Sequence, residues 1–136
     1  MTSNTRFSMA VHIMTTLAYL DMKVSSEQLS VSVNTNPVVV RRILCDLNQA
    51  GLIRAVRGKA GGFSLARDAG DISLLDIYRA VMGEQELVSL HENPKNRACS
   101  VSCKVRGVLS KHLHKAQSVF ERELEKVVLA DLRKAM

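Results

Sequence analysis

The sequence contains no tryptophan and only five other aromatic residues, so aromatics make up 4% of the chain. A core built almost without rings relies on Leu, Val, Ile and Met, which suits a helical protein. No run of about 18 consecutive apolar residues occurs, so no stretch reads as a membrane-spanning helix. Three cysteines are too few for the disulfide framework of a small secreted domain. The amino-terminal stretch also lacks the basic, apolar and small-residue succession of a secretory signal. Together these absences point to a cytoplasmic protein that keeps its thiols. No nucleophile–base–orienter set, paired-carboxylate motif or cofactor fingerprint is present, so the chain does not read as an enzyme.

What is present is a chain of 136 residues, 46% of them hydrophobic. That is too apolar for disorder and long enough for one domain with an extended arm. The formal charge is +6, and its distribution is uneven. Residues 1–70 carry +4, residues 71–100 carry −2 and residues 101–136 carry +4. The amino-terminal excess is clustered: Arg41 and Arg42, then Arg54, Arg57 and Lys59, with only Asp46 among them. The carboxy-terminal excess is interleaved with Glu121, Glu123 and Glu125, as on a solvated helix face.

Phe7, Ala10, Ile13, Met14 and Leu17 recur at helical spacing, which predicts a first helix over 7–20. Ser25 and Gln28 have the spacing of a capping box and open a short second helix over 26–31. Asn36 can cap, and Pro37 suits a first helical position, so a third helix is predicted over 38–50 with Gly51 closing it. Rotation by about 100° per residue puts Val40, Ile43, Leu44 and Leu47 on its inner stripe. Val38, Arg42, Cys45 and Gln49 fall opposite, with Arg41 on the flank. Residues 52–57 and 63–66 read as strands joined by the turn Gly58-Lys59-Ala60-Gly61-Gly62. Ser73 and Asp76 open a fourth helix that reaches Val81. A polar loop follows, and a long helix is expected to start near Ser102 or Val105. Val105, Leu109, Leu113, Ala116, Phe120, Leu124 and Val127 form its apolar repeat, suited to pairing with another helix. A last helical piece is expected around Val128, Leu129 and Leu132.

The predicted fold is mainly α with a small β-hairpin wing: a winged helix-turn-helix over 1–82, a cysteine-containing loop over 83–104 and a carboxy-terminal dimerisation helix region over 105–136. In such a frame the third helix enters a major groove, where arginines pair with guanine O6 and N7. The wing tip lies beside the duplex, with Arg57 and Lys59 reaching phosphates or a minor groove. A nucleotide-binding glycine loop would precede a helix, whereas here a strand follows. A hairpin with no ligand is the bland alternative. The candidate DNA-contacting residues are Asn36, Val38, Arg41, Arg42, Cys45, Arg57 and Lys59.

The stretches 36–44, 50–53 and 57–66, with Val11-His12-Ile13 and residues 74–81, resemble the Rrf-two family of winged-helix transcription regulators. That family includes the iron–sulfur cluster regulator, the nitric-oxide-sensitive repressor and the cysteine-metabolism repressor. The resemblance spans nearly the whole chain. It implies a homodimer joined through the long helix, binding a pseudo-palindromic double-stranded DNA operator and usually repressing. A helix of this length with two apolar stripes independently asks for a second copy.

The resemblance also raises an iron–sulfur cluster as cofactor, since cluster-binding members carry three loop cysteines. Here the loop holds only Cys99 and Cys103, with three residues between them. Three readings stay open for this pair. They are redox-active thiols flanked by Arg97, Lys104 and Arg106; or they ligate a metal or [2Fe–2S] cluster, with His12 of another subunit completing the set; or they are ordinary small residues. His91, His112 and His114 are weaker ligand candidates. Cys45, on the outward stripe of the third helix, would place a thiol near DNA.

Overall fold

Every helix start that the sequence marks with a local cap carries that cap in the computed structural model, which describes residues 5–136. The elements are α1 (Arg6–Leu20), α2 (Ser26–Val33), α3 (Pro37–Gln49), β1 (Ile53–Val56), β2 (Gly62–Leu65), α4 (Leu74–Met82), α5 (Ser100–Glu125) and α6 (Leu129–Lys134). Before α2, Ser25 Oγ accepts from the Gln28 N–H at 3.1 Å, and Gln28 Oε1 accepts from the Ser25 N–H at 3.0 Å. The same reciprocal pair recurs before α4, where Ser73 and Asp76 bond each other at 3.0 Å both ways. Asn36 Oδ1 accepts from the Val38 N–H at 2.8 Å and Pro37 occupies the first turn of α3. Each such cap contributes about 1 kcal/mol. Gly51 closes α3 with φ +74°, a conformation in which glycine carries no side-chain penalty.

The core lies where α1, α2, α3 and α4 converge. Ile13, Met14 and Leu17 of α1 and the predicted inner stripe of α3 are all fully buried in it. The hairpin pairs Ile53 with Leu65 and Val56 with Gly62. Val24 adds a short third edge, exchanging backbone hydrogen bonds with Phe63 at 3.0 and 2.8 Å. The wing is thereby fastened to the segment between α1 and α2.

After α5 the chain returns to this core. The Leu74 N–H donates to Val127 O at 2.9 Å and the Leu129 N–H to Ile72 O at 2.8 Å, and Leu129 is fully buried. The first half of α6 is thus part of the amino-terminal unit, although it lies in the carboxy-terminal segment. α5 itself has no buried residue along its 26 positions. Its later half leans on α4 through Phe120 against Tyr78. Leu113, Leu124 and Val127 are half-buried, whereas Val105, Leu109 and Ala116 of the same repeat are exposed.

Two features differ from the sequence reading. A 3-10 turn at Ala69–Asp71 connects the wing to α4. The long helix begins at Ser100, earlier than its apolar repeat, because Cys99 caps it: Cys99 Sγ accepts from the Ser102 N–H at 3.5 Å. Cys103 therefore stands in the first turn of α5, beyond the loop that precedes it.

Candidate nucleic-acid interface

The outer face of α3 is built by the burial of its inner one. With Val40, Ile43, Leu44 and Leu47 locked in the core, Val38, Arg41, Arg42, Cys45 and Gln49 are all exposed. Among the described residues no carboxylate pairs with Arg41 or Arg42. Two guanidinium groups thus stand in solvent on one capped helix, with their donors free for a polyanion. Asn36 is exposed, but its side-chain oxygen is committed to the cap.

The wing tip presents Arg57 and Lys59, both exposed. Its turn is tight enough to dictate its residues. The Gly61 N–H donates to Gly58 O at 3.0 Å, and a Cβ at Gly61 would lie 2.1 Å from Val56 O. Gly62 backs onto Val24, where a Cβ would meet the carbonyl oxygen at 2.9 Å. Side chains at either position would open the loop. Among the described residues, none covers Arg41 and Arg42 on the helix face or Arg57 and Lys59 at the wing tip.

The other site residues stand elsewhere. Cys99 is half-buried at the helix cap. Cys103 is exposed, its Sγ 3.7 Å from Asn96 O and 3.9 Å from Arg97 O. Ser102 Oγ accepts from the Asn96 N–H at 2.7 Å, and Arg106 bonds to Asn93 O, so the segment before α5 is clamped to its first two turns. His12 hydrogen-bonds Ser32 Oγ at 3.0 Å, joining α1 to α2. Among the described residues no three His, Cys, Asp or Glu side chains of this chain converge as metal ligands would. Two thiols one turn apart supply half of a four-ligand set, and no other described residue completes it.

One contact was not legible in the sequence. Arg6, at the start of α1, pairs with Asp46 on α3 and donates from Nε to Val81 O at the end of α4. The partners lie 40 and 75 residues away, so no local pattern could announce them.

The Rrf2 family model, described as an iron-dependent transcriptional regulator, matches residues 3–135. The chain belongs to the Rrf2 family. YwnA of Bacillus subtilis (strain 168), by its name a candidate HTH-type transcriptional regulator, is 42% identical over 129 residues, covering 95% of each chain. A crystal structure of a candidate DNA-binding protein has 39% identity and a TM-score of 0.75, covering 93% of this chain and 97% of that one. A second crystal structure, of a candidate transcriptional regulator from Lactobacillus plantarum, has 27% identity and a TM-score of 0.81, covering 96% and 88%. Winged helix, hairpin and long helix are therefore those of Rrf2 regulators of transcription. No helix among the described residues is long and apolar enough to cross a membrane.

Proposed function

We propose that this Rrf2 chain is a sequence-specific DNA-binding repressor that acts as a homodimer in the cytoplasm and answers to thiol oxidation. The observation that carries the DNA reading is the pair Arg41 and Arg42, exposed and, among the described residues, without carboxylate partners, on a capped helix beside a glycine-tipped basic wing. Arg41 and Arg42 would read base edges in the major groove, and Val38 offers apolar contact to a thymine methyl. Arg57 and Lys59 would hold phosphates and set the register. Two copies related by a twofold axis would then read half-sites about 34 Å apart. Occupancy of such a site in a promoter represses by excluding polymerase.

The second copy is favoured by the amino-terminal half of α5, where Val101, Val105, Val108 and Leu109 are exposed. Apolar side chains in a row on a helix ask for a cover, and the described residues of this chain leave these four exposed.

The thiol reading rests on the roles that Cys99 and Cys103 play at the start of α5. Cys99 Sγ accepts the Ser102 N–H at the amino terminus of α5, and Cys103 follows it one turn along the same helix. A peroxide would be reduced there: an S–O bond forms, the O–O bond breaks, and water or an alcohol leaves. Attack by the Cys103 thiol on the sulfenic acid forms the S–S bond and releases a second water. The disulfide would remove the cap and the Cys103 contacts to Asn96 and Arg97, loosening the first turn of α5. The ligand-set reading, with His12 from a second subunit, has less support because Cys99 and Cys103 meet no third ligand of this chain among the described residues.

The test begins with selection of duplexes from a randomised library by the wild-type chain, followed by fluorescence anisotropy. The expected result is one enriched symmetric sequence, bound by two chains, and loss of binding in the folded variant carrying Arg41→Ala and Arg42→Ala. Undiminished binding by that variant would overturn the assignment of α3.

A further inference from the structure

Helix α3 carries one acidic residue, and what that carboxylate pairs with decides what Arg42 is free to do. Asp46 follows Arg42 by four residues, a spacing at which side chains on a helix reach each other. Left alone, the pair would close on itself, drawing Arg42 along the helix and away from any duplex. An uncancelled carboxylate on the same flank would also face the phosphates. Neither occurs, because Asp46 is paired with Arg6 from α1.

Arg6 is held for this task at both ends of its guanidinium. Its Nε donates to Val81 O at 3.1 Å while Nη2 bonds to Asp46 Oδ2. The two bonds use two different nitrogens held in one plane, whereas a lysine would offer a single nitrogen. The Arg6 and Asp46 side chains are 34% and 30% exposed, so solvent screens their attraction only in part. Among the described residues Asp46 makes no ion pair on its own helix.

We infer that Arg6 is a positioning residue for DNA recognition: by capturing Asp46 it leaves Arg42 free for the duplex and cancels a negative charge beside the reading face. The inference rests on the DNA-binding reading of α3, and the experiment separates the two. The probe is the duplex selected from the randomised library by the wild-type chain. Binding is measured by anisotropy for R6Q, D46N, R6Q/D46N, R42A and R6Q/R42A, with circular dichroism to confirm folding.

R6Q is expected to weaken binding about tenfold, whereas D46N stays within about threefold of wild type or binds more tightly. R6Q/D46N is expected to recover to within about threefold of wild type, because the carboxylate that needed capture is gone. R42A should cost less in the R6Q background than in wild type, since Arg42 is already diverted there. A bridge that merely held the helices together would make D46N as harmful as R6Q, with no recovery in the double variant; that result overturns the inference. If R42A leaves wild-type binding unchanged, the DNA reading of α3 itself fails. Should R6Q not fold, D46N decides: binding kept supports the inference, and binding lost overturns it.

Discussion

Tyr78 of α4 meets Phe120 of α5 edge to face, with ring centroids 5.3 Å apart and planes at 74°. On its other side Tyr78 meets Phe7 of α1 in the same way, at 5.3 Å and 78°. Three of the five aromatic side chains thus form one row that ties the long helix to the helix carrying Arg6. A protein poor in rings has spent most of them at the joint between its two halves.

That joint predicts the effect of Phe120→Ala. Phe120 is half-buried, so its loss should cost about 2–3 kcal/mol of unfolding free energy, part of it from the ring contact itself. Urea unfolding followed by circular dichroism measures this. A change below about 0.5 kcal/mol would mean that the row does not hold α5 in place.

The wing can be tested through two different variants. Lys59→Ala should weaken binding to all duplex sequences alike and lower the salt slope by about one unit. Gly61→Ala keeps every charge but puts a Cβ against Val56 O, so the tip must open. It should weaken binding while the core stays folded. Anisotropy across a salt series checks both, and equal affinity in Gly61→Ala would show that the tip does not approach DNA.

Dimerisation should fail when charge is placed on the projecting half of α5. Val108 is 58% exposed, so Val108→Glu leaves the single chain's packing unchanged. Light scattering should report a dimer for wild type and a monomer for the variant, with helix content preserved. A variant that stays dimeric would place the interface elsewhere.

Oxidation supplies a fourth test. Hydrogen peroxide should release wild-type protein from its duplex with the loss of two titratable thiols, and reductant should restore binding. Cys99→Ser should resist release, and Cys103→Ser should stop at the sulfenic acid. Unchanged release in the variant lacking both thiols would refute the switch. Cys45→Ser separates it from direct oxidation on the outer face of α3.

What was legible in the sequence was local. Ser25 with Gln28, Ser73 with Asp76, and Asn36 with Pro37 act over three residues or fewer, so the starts of α2, α4 and α3 could be read from their neighbours. The outer face of α3 followed from helical rotation, because the four residues opposite it are all large and apolar. Contacts between distant segments were not legible. The pairing of Arg6 with Asp46 and the return of Leu129 to Ile72 depend on how the helices pack. The start of α5 was misplaced because a cysteine is a weak cap and the apolar repeat begins only at Val105. The division after residue 82 separates segments by order, whereas packing joins α6 to α1.

Chemical footprinting tests the central claim most directly. Arginine- and lysine-modifying reagents, applied with and without the selected duplex, report which cations the DNA covers. Protection of Arg41, Arg42, Arg57 and Lys59 is expected on duplex binding, with Lys111 and Lys115 of α5 labelled as before. Protection confined to α5, with the four cations of α3 and the wing still reactive, would contradict it.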